Sequence, residues 1–463
     1  MTVADVFVAL LLIGALLVLG LVIRSRIALL RRLFLPSAIV AGVVALALGP
    51  EGLGRLVEAE GWLAGGLFPA ATQEVWRALP GLLISVVFAC LFLGKAIPHP
   101  RTIWAKAGPM VAHGQTLAWG QYAVGLTLAV FVLVPVFAVD PMAGALIEIG
   151  FEGGHGTAAG LASTFRELGF ENGADLALGL ATIGVVMGVL LGTVLVNWGV
   201  RTGRIDPASA DADDDVADHD DREAVPTTAG GAVDPLAVHL GYVAIAIALG
   251  WLMLEGLVRL ERLTWGAGPD GLELLVHVPL FPLAMIGGVL VQLALMRTRH
   301  DRAVDRRLIN RVSGAALDVL IVAALATLSL AALGDLLLPL LLLAVAGIAW
   351  NLIGFVVLAP RMLGEQWVPM GLANFGQGMG MTVIGLLLIR MSDPGGQSDA
   401  MEAFGYKQLL FEPVVGGGLF TAASLPLIYN FGPVPVLIAT TALMLAWLAF
   451  GLLAFGRQRR TAA

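Results

Sequence analysis

Eight long apolar runs dominate this chain, near residues 5 to 23, 80 to 97, 109 to 139, 174 to 200, 236 to 260, 313 to 334, 336 to 359 and 434 to 455. Each approaches the roughly 20 residues a helix needs to cross a bilayer core. Shorter or glycine-interrupted runs lie at 34 to 49, 141 to 163, 272 to 296, 367 to 391 and 408 to 430. With 58% hydrophobic residues, 13% charged and a mean hydropathy of +0.89, the chain needs lipid rather than water around it. Backbone polar groups in lipid must pair within their own segment, so the fold class expected is an all-α polytopic membrane protein.

The formal charge of -7 is concentrated in "DADDDVADHDDRE", residues 211 to 223. Flanked by Pro207, Pro226, Gly230 and Gly231, this stretch reads as a solvated linker over 201 to 235. The acidic balance argues against nucleic acid as a partner. Cys90, the single cysteine, sits in "SVVFACLFLG" and reads as a small buried hydrophobe. The first apolar run has no basic leader and reads as a retained helix, not a signal peptide.

The two sides of the linker repeat. "LPSAIVAGVVALAL" from Leu35 returns as "FPLAMIGGVLVQLA" from Phe281, and "AWGQYAVGLTL" from Ala118 resembles "AWNLIGFVVL" from Ala349. "PMAGALIEIGFEGGHGT" from Pro141 faces "PMGLANFGQGMGMT" from Pro369, and "ATIGVVMG" from Ala181 faces "FEPVVGGG" from Phe411. Four matches in one order point to duplication. Lys and Arg favour cytoplasmic loops. If the glycine-rich segments dip in and return, and the N-terminus is outside, most basic clusters fall inside, from Arg24 to Arg32 and from Arg297 to Arg311 among them. The halves then have opposite topology, as in many secondary transporters.

Gly153, Gly154 and Gly156, and Gly376, Gly378 and Gly380 in the second half, make helix continuity improbable there. The alternative is that they only pack helices closely. Ionisable groups at membrane depth are functional candidates, and Glu148, Glu152, His155 and Glu412 qualify. Spaced by four and three, the first three share a helix face while the helix lasts. Two carboxylates with nearby carbonyls suit a small cation, or can share one proton. Thr157, Thr182, Asn374, Gln377 and Thr382 supply neutral polar groups nearby, or cap a broken helix. Gln121 and Asn351 read as interhelical glue or as site residues. Lys95, Arg390 and Lys407 are expected to snorkel at a cytoplasmic rim. No Walker loop and no zinc-type ligand set accompanies the glycines.

"DPMAGAL", "GGHGTAAGLASTF", "LGFENGADLALGLATIGVVMG", "LPSAIVAG" and "GQGMGMT" resemble the bacterial sodium/glutamate symporter family, over about residues 30 to 430. The resemblance implies a homodimer in the bacterial cytoplasmic membrane, with two inverted five-helix repeats. Each repeat would hold a glycine-rich re-entrant or broken segment. It places Gly153, Gly154, His155, Gly156 and Thr157, and Asn374, Gly376, Gly378, Gly380 and Thr382, around the translocation site. The chain departs from the family in Glu148 and Glu152, where small hydroxyl residues are typical, and in Glu412.

These readings lead to a first half at 1-200 with a re-entrant segment at 141-165, the acidic linker 201-235, and a second half at 236-430 with a re-entrant segment at 367-392. An extra C-terminal helix and basic tail follow at 431-463. The function expected is sodium-coupled symport of glutamate or a related amino acid or organic anion, with no enzymatic activity. Sodium, the coupling ion, is expected at Glu148 and Glu152, with Gly153, Gly154, Thr182 and Glu412 around it; no other cofactor is expected. The anionic or zwitterionic substrate would meet His155, Gly156, Thr157, Asn374, Gln377, Gly378, Gly380 and Thr382. The alternative is a proton-coupled transporter of a different organic acid, using Glu148, Glu152 and His155.

Overall fold

A computed structural model describes residues 2–32, 35–56, 65–205, 234–267, 275–300, 303–393 and 396–456. The acidic stretch 211–223, most of the expected linker and the basic tail lie outside the described residues. All regular structure among the described residues is helical, and nine helices there are long and apolar enough to cross a membrane. This is a multi-pass membrane protein.

The first half contains α1 (Val3–Arg26), α2 (Ser37–Leu48), α3 (Ala70–Ala89), α4 (Pro100–Leu128), α5 (Leu146–Phe151), α6 (Gly154–Gly160) and α7 (Gly173–Arg201). The second contains α8 (Pro235–Leu263), α9 (Phe281–Arg297), α10 (Arg306–Ala326), α11 (Leu337–Ile353), α12 (Trp367–Ser392), α13 (Ala400–Phe411), α14 (Leu419–Phe431) and α15 (Pro433–Ala454). Burial orders them: the most apolar window of α1, α8 or α15 is only 17 to 22% buried, whereas that of α12 is 72% buried. Leu11, Val18, Trp251 and Ile438 stay exposed on the outer helices, where lipid covers apolar surface at no cost.

The expected span at 80 to 97 is corrected. α3 starts at Ala70, and the chain turns after Ala89. Its first turns carry Thr72, Gln73 and Trp76, all buried, with the Trp76 indole donating to the Ala9 carbonyl at 3.1 Å. Hydropathy misses such a segment because its polar groups face protein. Cys90 is buried, as a small hydrophobe in that position should be.

Glycines set the close crossings. A Cβ on Gly20 of α1 would meet Ala41 of α2, and one on Gly250 of α8 would meet Ala284 of α9. Gly42 of α2 packs on Leu325 of α10, while Gly288 of α9 packs on the Ala89 carbonyl of α3. Each half therefore lends its second long helix to the third of the other. α4 and α11 each run into a π turn, Ala129–Leu133 and Gly354–Leu358, that ends two residues before Pro135 or Pro360. A proline ring clashes with the carbonyl four residues back, and a wider turn relieves it.

Two segments fold back within the bundle. From Pro141 the chain descends along α4, with the Gly144 carbonyl against Gly125 and the Tyr122 hydroxyl on Glu148. It returns along α7, with Phe151 against Gly184 and Phe165 against Gly173. Both ends therefore lie where α7 begins. α12 enters from the other end, with Val368 beside Gly199, and turns at Gly380 (φ -157°, ψ 48°) and Met381 (φ 65°, ψ 176°). It returns with Leu388 beside Gly192, and a Cβ on Gly376 would stand 2.8 Å from the Gly385 Cα. The two tips meet: Met381 lies on Gly154, and Phe151 and the Met379 carbonyl both press on Gly184.

Candidate functional site

Three backbone breaks converge at mid-bundle. The first follows α5, where Glu152 and Gly153 leave the helix and Gly154 takes φ +68°, a left-handed conformation that glycine adopts without steric cost. The second is Gly380–Met381. The third runs from Glu412 to Gly418 between α13 and α14, with φ +71° at Gly416 and +98° at Gly417. Gly376 and Gly378, expected to break the backbone, instead lie in the first arm of α12. Gly376 allows the second arm to approach. Gly378 exposes a carbonyl that accepts from Gln121 Nε2 at 2.7 Å and Asn351 Nδ2 at 2.9 Å. The repeat-matched amides thus satisfy backbone beside a break, which lipid cannot do. Truncating either to alanine is expected to cost about 1 kcal/mol, and the pair is expected to depart from additivity because they share one acceptor. Thermal unfolding of the two single variants and the double variant checks this.

The carboxylates have different surroundings. Glu148 is fully buried and accepts from the Tyr122 hydroxyl at 2.6 Å, the Gly416 N–H at 2.6 Å and the Thr421 hydroxyl at 2.8 Å. It ties α4, α5 and the third break together. Glu152, 4% exposed, keeps Oε2 without a donor. Thr157 Oγ1 is likewise buried without a partner, beside Gly417. Glu412 accepts from Thr382 at 3.0 Å, whose hydroxyl in turn accepts from Gln408 at 2.7 Å; Glu412 Oε2 has no donor.

Lys407 corrects the rim expectation. It is 1% exposed and points inward, with Nζ donating to Asn374 Oδ1 and Gln377 Oε1, both at 2.8 Å. Phe411 covers it at 3.9 Å to the ring centre. A charge at membrane depth costs about 2.5–3.5 kcal/mol on insertion scales, so it persists where such ligands replace water. Asn374 also donates to the Met110 carbonyl at 3.2 Å and His113 Nδ1 at 2.9 Å.

His155 lies past the break that follows Glu152 and pairs with α7. Its Nε2 lies 3.0 Å from Thr182 Oγ1, and that hydroxyl donates to the Leu178 carbonyl. The single hydroxyl hydrogen is thereby used, which assigns the proton to Nε2. Gly156 packs on Ile84, and Gly153 on Thr157. Gly380 packs on Ile384 and Val185.

Sequence reasoning missed Tyr122, His113, Gln408 and Thr421, and misplaced Lys407. One signal was present: "YKQLLFE" puts a cation and an amide one helical turn before Glu412, in an apolar run. Among the described residues no cluster of three or more His, Cys, Asp or Glu side chains is arranged to hold a metal ion. Any bound cation here would rely on carbonyl, hydroxyl and single carboxylate oxygens.

Where α7 begins, a cavity of about 540 Å³ opens between the halves. Arg77, Arg166, Glu51 and Asp175 line it, and it reaches Ala159 on α6, two residues past Thr157.

A sequence model described as sodium/glutamate symporter matches residues 83–387, which include all four elements from α4 to α7 and most of α12. A comparison with curated proteins gave no match.

Proposed function

Since the chain belongs to the sodium/glutamate symporter family, we propose that it is a sodium-coupled secondary active transporter of glutamate or a related amino acid or organic anion. One observation carries this reading. Two folded-back segments entering from opposite ends meet tip to tip beside buried carboxylates that keep unpartnered oxygens. Such a meeting point can be reached from either side if one segment and its supporting helices move against the other, which is the geometry alternating access needs. The exchanged packing of α2 on α10 and α9 on α3 supports two five-helix repeats of inverted topology, at 1-200 and 236-430, with α15 added. The basic clusters support a cytoplasmic side where α7 ends, so the 540 Å³ cavity is the external vestibule. A homodimer in the bacterial cytoplasmic membrane completes the reading.

In this mechanism the unpartnered Glu152 oxygen, the Thr157 hydroxyl and carbonyls of the first break receive sodium, and the tip of α12 receives the substrate carboxylate. A cation bound first offsets the charge of Glu152, so the anion enters only after it. That order produces coupling without a covalent step. Purified protein in vesicles, given sodium and proton gradients separately, tests it: accumulation of labelled glutamate or a related anion is expected only with sodium. Uptake indifferent to sodium would overturn the proposal.

The donor-free Glu152 oxygen favours one second reading, in which Glu152 carries a proton and an organic acid moves with it. The separately imposed gradients distinguish the two, and Glu152→Gln tests whether Glu152 takes part in either. It fills the same space, so folding should hold, while sodium-driven uptake is expected to fall by about tenfold or more. A glutamine that transports with unchanged sodium dependence removes Glu152 from either role.

A further inference from the structure

We propose that the Lys407 ammonium is a tethered cation, occupying a position built to hold a free monovalent cation and standing in for one coupling ion. The coupling consequence rests on the sodium-driven reading above; the site itself does not.

The ligand shell comes first. Lys407 Nζ is held by two neutral amide oxygens, Asn374 Oδ1 and Gln377 Oε1, each at 2.8 Å, and by the Phe411 face at 3.9 Å. Amide oxygens and an aromatic face are partners for an alkali or ammonium ion. No carboxylate is in ion-pair contact with Lys407 among the described residues, although Glu152 and Glu412 are near enough to act on it through space. A lysine meant to anchor a substrate anion would present its N–H groups to a cavity. Two of these are already donated to amides on the first arm of α12, and a ring covers a third side.

The Asn374 ligand is also fixed in advance. Asn374 cannot exchange its oxygen and nitrogen, because Nδ2 donates to the Met110 carbonyl and to His113 Nδ1. His113 is set in turn by Nε2 donating to the Gly354 carbonyl at 3.1 Å. An oxygen therefore faces the ammonium whether or not lysine is there. Space for the charge comes from Gly114 of α4, where a Cβ would lie 2.5 Å from Lys407 Cε and 2.7 Å from Nζ. A free ion at this point would bind and leave in every cycle. A tethered one holds α13 to α12 throughout, so each cycle carries one sodium fewer.

Lys407→Ala in the full chain tests this by opening the position to solution cations. Its unfolding midpoint is expected to fall in choline chloride and to recover by about 2 °C or more in sodium or methylammonium chloride at equal ionic strength. Its uptake should show a Hill slope for sodium about one higher than the wild type's. Recovery equal in choline and sodium would overturn the proposal. If the alanine protein does not fold in any salt, Lys407→Met, which fills the space without charge, decides. Loss of stability that no salt restores supports the tethered cation, and a methionine protein as stable as the wild type overturns it. Wild-type uptake without sodium would sink the sodium-coupled reading yet leave the salt response of Lys407→Ala as a separate result.

Discussion

Glu148→Ala is expected to leave little folded protein. The carboxylate accepts three hydrogen bonds inside a site that water cannot reach, from Tyr122, Gly416 and Thr421. Truncation strands all three donors, and removing one partner of a buried charged network costs about 3–5 kcal/mol, a large part of a typical total stability. The loss is also topological, because the Gly416 N–H belongs to a non-helical stretch that has few other reasons to remain at membrane depth. Glu148→Gln separates shape from charge. Its amide oxygen can still accept from Gly416 and Thr421, and the Tyr122 hydroxyl can turn to accept from the new N–H, so about 1–2 kcal/mol is expected instead. Thermal unfolding in detergent checks both. An alanine protein as stable as the glutamine one would remove Glu148 from its role as a tie between α4, α5 and the third break.

Gly376→Ala is expected to abolish transport while Gly405→Ala changes little. The new methyl at 376 would stand 2.8 Å from the Gly385 Cα and N and from the Ile384 carbonyl carbon. These are backbone atoms that no rotamer change can move. Overpacking of this kind costs about 1–3 kcal/mol, and relief requires the two arms of α12 to separate, which shifts the Gly378 carbonyl away from Gln121 and Asn351. At Gly405, on the same half of the chain, nothing lies within 4 Å of an added Cβ. There alanine is expected to stabilise α13 by about 0.5–1 kcal/mol through propensity. Uptake rates and unfolding midpoints for the pair test the contrast. Gly376→Ala with wild-type transport would show that close approach of the arms is not needed for function.

Much of the site was legible in the sequence, and particular residues show why. Glu148 and Glu152 stood out because charge in an apolar run has to be explained, and Gly154 because consecutive glycines rarely continue a helix. Lys407 carried the same kind of signal and was misplaced, since a lysine near a helix end normally reaches for water. Its real direction depends on Gly114, Asn374 and Phe411, which are distant in sequence from one another and on different elements. His155 was mis-aimed for a related reason: periodicity predicts a shared face only while the helix persists, and the break lies between it and the carboxylates.

The sequence by itself determined that the chain spans a membrane in helices, that glycine-rich stretches interrupt them, and that Glu148 and Glu152 are trapped at depth. Those follow from local composition, because lipid enforces internal hydrogen bonding one segment at a time. Only the tertiary structure decided which trapped groups are satisfied. Glu148 has three donors and Glu152 has an oxygen with none, although both are glutamates four residues apart in one motif. The physical reason is that satisfaction of a buried polar group is set by partners brought from other helices, and residue spacing along one helix carries no information about them.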